Sequence, residues 1–269
     1  MELEYDIFGA PDDAPLLLIN GLGAQMTGWD DDFCRLLVER GFRVIRFDNR
    51  DVGLSTRPDE PYTLDDMAGD AAGLLDALGI RAAHIVGASM GGFIAQLVAL
   101  NHPDRVLSLT SIMSGPNGED QVQPTDEAWA LLLAPAPRTR QERIEQGVQA
   151  KRKLLGPEDP FDEPYERTRI AAAIDRAYNP AGFVRQLQAT AAAPRRLERL
   201  RSLRVPALVI HGDADILIPV ENGRNVAAAI PGARLLEIEG MGHDVPRRVW
   251  TQVADAIANL ARQAATSPC

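Results

Sequence analysis

The stretch Gly87-Ala88-Ser89-Met90-Gly91 lies between an apolar run at residues 82–86, ending in His84-Ile85-Val86, and a helix-like run at residues 90–97. A buried strand, a tight turn and an apolar-faced helix, in that order, frame a nucleophile elbow. Glycine is required on both sides because a side chain there would collide with neighbouring backbone. The serine between them is held in a strained conformation with its hydroxyl exposed. Ser89 is therefore the candidate nucleophile.

Outward from this turn the chain alternates strand and helix. Upstream, a first strand is expected near residues 2–8. Pro15-Leu16-Leu17-Leu18-Ile19 is continuously apolar, as in a strand covered on both faces. It runs into Asn20-Gly21-Leu22-Gly23, then a helix expected over residues 29–40 with Phe33, Leu36 and Leu37 on one face, then the strand Arg43-Val44-Ile45-Arg46-Phe47. Thr63 can cap a helix that runs to Leu78 and stops at Gly79. Downstream, Asn101-His102-Pro103 closes the elbow helix and residues 105–113 supply another strand. From Gly115 to about Leu203 the pattern is helical throughout, at residues 127–133, 140–155, 165–178 and 182–192. Alternation resumes with a strand at 205–211, a helix at 220–229, a strand at 234–238 and a last helix at 246–262. The pattern predicts an α/β fold with a mostly parallel central sheet flanked by helices, built from residues 1–115 and 204–269. The all-helical insertion, residues 116–203, reads as a cap over a site.

The 269-residue length suits one large α/β domain with an insertion, and 45% hydrophobic with 25% charged residues is an ordinary globular composition. Disorder is expected only at the tail, residues 264–269. A formal net charge of −10 argues against nucleic acid or an anionic membrane as a partner. The Arg-rich run at residues 194–201 reads as a solvated basic face, with Leu197, Leu200 and Leu203 on the other side. The two cysteines, Cys34 in a helix interior and Cys269 at the end, form no disulfide framework and fit a reducing compartment. With no signal peptide and no apolar run of the roughly 20 residues needed to cross a bilayer, a cytoplasmic location is expected.

A serine hydroxyl needs a base and an orienting acid. Of the four histidines, His243 alone lies in a glycine-rich loop, Gly240-Met241-Gly242-His243, after the last strand. His84 and His211 read as residues packed in strands, His102 as part of a helix end. The acid is Asp213 or Asp215, both following the strand that ends at His211. Asp215 lies further into the turn and can reach across towards His243, while Asp244 is expected to face solvent or cap the last helix. Two backbone N–H groups must receive the negative charge that develops on a carbonyl oxygen. Met90, after the nucleophile, supplies one, and Leu22 in the Asn20-Gly21-Leu22-Gly23 loop is placed to supply the other. Trp29, Trp129, Ile216, Leu217 and Met241 are candidates to line an apolar substrate pocket. No dinucleotide site is indicated, because Gly21-Leu22-Gly23 is followed by Met26 where a third glycine would stand. No cofactor is implied, and metal-ligand spacing is absent.

These segments, together with Asp48-Asn49-Arg50-Asp51-Val52-Gly53-Leu54-Ser55, resemble the α/β-hydrolase superfamily over nearly the whole chain. Residues 20–29 and 48–55 look most like the subgroup that contains aclacinomycin methylesterase. The resemblance implies Ser89 as nucleophile, Asp215 as acid, His243 as base, and Leu22 and Met90 as oxyanion donors. Much of the superfamily has a loop-orienting histidine where Asn20 stands. The implied reaction is hydrolysis of carboxylic esters, methyl esters included, with a small-molecule ester as substrate. Activity through a neutral histidine base is expected to fall on the acid side of about pH 6.5, the unperturbed imidazole value. A cofactor-free haloperoxidase or perhydrolase, a C–C bond hydrolase and an aminopeptidase use the same residues. Dehalogenases and epoxide hydrolases, which need an aspartate nucleophile, do not. A ligand receptor that keeps the triad without turnover is the reading from a different class, and multiple turnover separates it from an enzyme.

Overall fold

The computed structural model describes residues 1–266. Leu16 and Leu18 pack on one side of a central sheet and Leu17 and Ile19 on the other, all fully buried, which is why that strand is apolar without alternation. The strands are β1 (Tyr5–Phe8), β2 (Ala14–Ile19), β3 (Phe42–Phe47), β4 (Ala83–Ala88), β5 (Val106–Ile112), β6 (Ala207–Gly212) and β7 (Arg234–Ile238). They form one sheet in the order β1-β3-β2-β4-β5-β6-β7. Only β1 runs antiparallel to its neighbour; the other pairings are parallel.

Helices α1 (Asp31–Val38), α2 (Leu64–Ala77) and α3 (Met90–Asn101) alternate with the first strands. Between β5 and β6 lie α4 (Asp126–Leu132), α5 (Arg140–Leu154), α6 (Glu163–Arg176), α7 (Pro180–Ala192) and the one-turn α8 (Leu197–Leu200). Next come α9 (Val220–Ala229) and α10 (Trp250–Thr266). Residues of α2, α3 and α9 join the core on one face of the sheet, those of α1 and α10 the core on the other. Thr63 caps α2 through a reciprocal box with Asp66.

Several boundaries differ from expectation for local reasons. Helix α1 begins at Asp31 rather than at residue 29, because the Asp30 carboxylate accepts the Asp32 N–H at 2.9 Å and a 3-10 turn occupies Met26–Gly28. Another 3-10 turn, Arg247–Val249, delays the last helix to Trp250, and that helix continues to Thr266, into the tail expected to be disordered. The rest of that tail, including Cys269, lies outside the described residues. The basic face is not wholly solvated: Arg196 is 2% exposed, its guanidinium over Phe93 and donating to the Phe93 carbonyl at 2.7 Å, and burial pulls its pKa down to about 10. Cys34 is buried in α1, where desolvation pushes its thiol up to about 12. Among the described residues no helix is long and apolar enough to cross a membrane.

Candidate active site

Ser89 joins β4 to α3 at φ 56° and ψ −123°, a conformation side-chain-bearing residues rarely adopt. A Cβ on Gly87 would fall 2.0 Å from the Gly91 carbonyl oxygen, and one on Gly91 would fall 2.1 Å from that of Ile19. The flanking glycines are thus demanded by backbone packed against backbone.

His243 Nε2 lies 2.8 Å from Ser89 Oγ, and its Nδ1 lies 2.7 Å from Asp215 Oδ2. The Asp215 side chain is fully buried, and its other oxygen accepts the N–H groups of Leu217 at 2.8 Å and Ile218 at 2.9 Å. Burial by itself would raise this carboxyl. The charge of His243, hydrogen bonds from His211 and His243 and the Ile218 N–H outweigh it and hold the group below the usual carboxylate range. An ionised carboxylate can only accept, so Nδ1 of His243 carries the proton and Nε2 is left to accept from the Ser89 hydroxyl. Asp213, the other candidate acid, is exposed and instead accepts the Gly240 N–H at 2.8 Å.

The loop after β2 passes beside the serine; a Cβ on Gly21 would sit 3.1 Å from that of Ser89. Asn20 organises the loop where a histidine was the more usual residue. Its Oδ1 accepts the Gly21 N–H at 3.1 Å, its Nδ2 donates to the Gln25 carbonyl at 2.6 Å, and its own carbonyl accepts from Asn49 at 3.0 Å. Among the described residues, neither the Leu22 nor the Met90 N–H has a protein acceptor. Met90 opens α3, whose macrodipole adds positive character at that end.

The pocket candidates differ in their surroundings, and Thr125, which caps the Trp129 helix, donates its N–H to the Ile216 carbonyl at 3.0 Å. Met241 is fully buried in the core beneath α10 and offers no surface to a ligand, and Trp129 is 37% exposed on α4. Ile216 and Leu217 are half-buried directly after Asp215. Trp29 stacks on Phe33 and lines a cavity of about 100 Å³ together with Asn20, Ala88, Tyr165 and Asp244. Ala88 and Asp244, the sequence neighbours of Ser89 and His243, line this cavity, but Ser89 and His243 do not.

Other contacts escaped the sequence reading. Asp244 neither faces open solvent nor caps α10; it pairs with Lys151 of α5 at 2.6 Å. The His243 N–H donates to the Leu154 carbonyl at 2.8 Å. His211, fully buried, donates from Nε2 to the Ile218 carbonyl at 2.7 Å and stands 3.5 Å from Asp215 Oδ2. Helices α6 and α7 reach the loops after β2 and β3 through Arg176–Asp48 at 2.7 Å, Arg185–Asp51 at 2.5 Å and Gln186. Among the described residues no group of His, Cys, Asp or Glu is placed to hold a metal ion.

A family model for the α/β hydrolase fold matches residues 14–246. Rhodomycin D methylesterase DnrP of Streptomyces peucetius is 36% identical over 95% of this chain and 93% of its own. The solved structure of the enol-lactonase from Burkholderia xenovorans LB400 superposes with a TM-score of 0.77 at 27% identity, covering 98% of this chain and 96% of that one. A thermophilic esterase from Thermogutta terrifontis gives a TM-score of 0.76 at 27% identity, covering 98% and 94%.

Proposed function

The chain belongs to the α/β-hydrolase fold family, and from that premise we propose that it is a serine hydrolase that cleaves carboxylic esters, methyl esters among them, through an acyl-enzyme. The observation that carries this reading is the continuous hydrogen-bonded chain from Ser89 through His243 to Asp215. Among the described residues, the N–H of Met90, which follows Ser89, and that of Leu22, which follows the Gly21 that packs beside Ser89, have no protein acceptor. The methylesterase relative supports the ester, and specifically a methyl ester, as the scissile group.

In this mechanism Ser89 Oγ attacks the acyl carbonyl while His243 Nε2 takes its proton. Asp215, ionised and buried, stabilises the imidazolium and keeps Nδ1 as the donor. The Leu22 and Met90 N–H groups receive the oxyanion; collapse of the adduct expels the alcohol, which takes the proton from His243. Water, deprotonated by the same imidazole, then releases the acid and frees Ser89. Ile216 and Leu217, beside the acid, contribute apolar contacts to the substrate, and residues 116–203 form the cap that selects it. The free thiol and the charge balance suit a small-molecule enzyme of the cytoplasm.

The test is steady-state hydrolysis of p-nitrophenyl esters of increasing acyl length, with methanol release from aryl methyl esters measured in parallel, on the wild type and on Ser89→Ala. Turnover is expected to fall by a factor of about 10³ to 10⁶ in the variant at unchanged thermal midpoint. Ester turnover equal in both proteins refutes the assignment of Ser89. A folded wild type that turns over no ester refutes the ester reading.

A further inference from the structure

Gln186 is a polar residue with no exposed surface, carried on α7 of the helical insertion. A buried amide must place both its acceptor and its donor, and this one spans two loops of the sheet domain. Its Oε1 accepts the Gly23 N–H at 2.8 Å, and its Nε2 donates to the Arg50 carbonyl at 2.8 Å. Both bonds join residues more than a hundred positions apart in the chain.

The Gly23 end matters most. Gly23 N–H belongs to the peptide that follows Leu22, so the two amides share the Leu22 Cα, and holding one restricts the rotation that aims the other. Gly23 itself sits at φ 66°, and a Cβ there would come within 2.7 Å of the Phe183 ring. Phe183 and Gln186 are one turn apart on α7 and meet the same loop. The loop is therefore clamped between Asn20 and Asn49 on the sheet side and Phe183 and Gln186 on the insertion side.

We infer that Gln186 is a positioning residue for ester hydrolysis: by holding Gly23 it fixes the loop that presents the Leu22 N–H to the oxyanion. The inference rests on the serine-hydrolase reading above. Donors aimed in advance at developing charge act without reorganisation, and displacing one by a fraction of an ångström forfeits much of that benefit. The cost falls on the transition state and spares ground-state binding.

The experiment compares wild type, Gln186→Met, Gln186→Glu and the control Val184→Ala, an exposed position on the same helix. It reads kcat and KM for a p-nitrophenyl ester and the inhibition constant of a trifluoromethyl ketone, which forms a tetrahedral oxyanion on serine. Gln186→Met fills the volume without an acceptor. Its kcat is expected to fall about 10- to 100-fold with KM within about twofold, and its ketone inhibition constant to rise in step. Gln186→Glu, as the neutral acid that burial favours, keeps an acceptor for Gly23 and an O–H donor for the Arg50 carbonyl and is expected to recover most of that loss, while Val184→Ala matches wild type. Gln186→Asn, polar and one methylene short of Gly23, carries the same expectation as Gln186→Met if the methionine variant does not fold. Wild-type kcat and ketone inhibition in the shortened or methionine variant overturn the inference, as does a rise in KM at constant kcat. A wild type that neither hydrolyses the ester nor binds the ketone refutes the underlying reading, so the two failures are distinct.

Discussion

Helices α3 and α6 are of similar length, yet they are held by different forces. Every residue from Met90 to Ala99 in α3 is buried, against the sheet on one side and α2 on the other. Helix α6 has no fully buried residue. It is seated by polar groups: the Gln25 amide donates to the Ala173 and Ala177 carbonyls at 2.6 and 2.9 Å, Arg176 reaches the fully buried Asp48 at 2.7 Å, and the Tyr165 hydroxyl meets Asp30. Hydrophobic burial is non-directional and tolerates small shifts, whereas amide and ion-pair contacts specify one seating. The insertion combines the two: Ala189, Ala193 and Leu200 join the apolar core, while polar contacts of α6 and α7 fix where it meets the loops after β2 and β3.

The largest effect is expected on the sheet side. Asp215→Asn keeps the shape of the site but offers an amide where Nδ1 of His243 needs an acceptor, and kcat is expected to drop by about 10⁴ at unchanged circular dichroism. A loss below about tenfold would mean that the sheet-borne acid does not orient the base. Next comes packing. Ile94→Ala, in α3 with no exposed surface, is expected to cost about 3–4 kcal/mol by urea denaturation, and the half-buried Ile170→Ala in α6 less than about 1.5 kcal/mol. Equal losses would erase the distinction between the two helices.

Ion pairs sharpen it further. Arg185→Met leaves Asp51, whose side chain is wholly buried, without its cationic partner and with only the Asn179 and Tyr62 hydrogen bonds, and is expected to cost about 2–3 kcal/mol, discounted because Arg185 is 29% exposed. Limited proteolysis within residues 116–203 should accelerate in that variant. Arg140→Gln, which breaks the exposed pair with Asp175, should leave the urea midpoint unchanged.

The acid limb of stability separates the two regions by pH. Burial lowers the His84 pKa to about 4, so between the unfolded value of about 6.5 and 4 the unfolded chain binds more protons, and stability falls as pH drops through that window. Burial works against ionised Asp51, but the hydrogen bond and charge of Arg185 outweigh it and depress its pKa. Its contribution is full above the unfolded carboxylate value of about 3.9 and is lost as pH falls below it. Melting curves from pH 7 to 3 should therefore show a first decline, absent in His84→Phe, and a later one, shallower in Asp51→Asn, because Asp215 and other carboxylates depressed in the fold share it. A single decline shared by all three proteins would break the assignment.

Much of this was legible in the residues themselves. The apolar strands, the Thr63 cap, the glycine-flanked Ser89 and a histidine alone in a late glycine-rich loop each rest on chemistry confined to a few neighbouring positions. Asp213 and Asp215 both follow the same strand; lying further into the turn favours Asp215, and the structure puts that carboxylate, not Asp213, against His243. Met241 reads as a pocket residue from its neighbours, but the turn after β7 directs it into the core. Arg196 reads as solvated and is covered by α3.

By itself the sequence determined the α/β alternation, the glycine-flanked turn at Ser89 and the candidates for a nucleophile, base and acid, because strand and helix periodicities and tight-turn sterics act over short stretches of chain. The tertiary structure alone decided how the helical insertion is seated and that Gln186 ties the Gly23 loop to it. Those outcomes depend on single directional hydrogen bonds between residues far apart in the chain, whose partners leave no pattern in the local sequence.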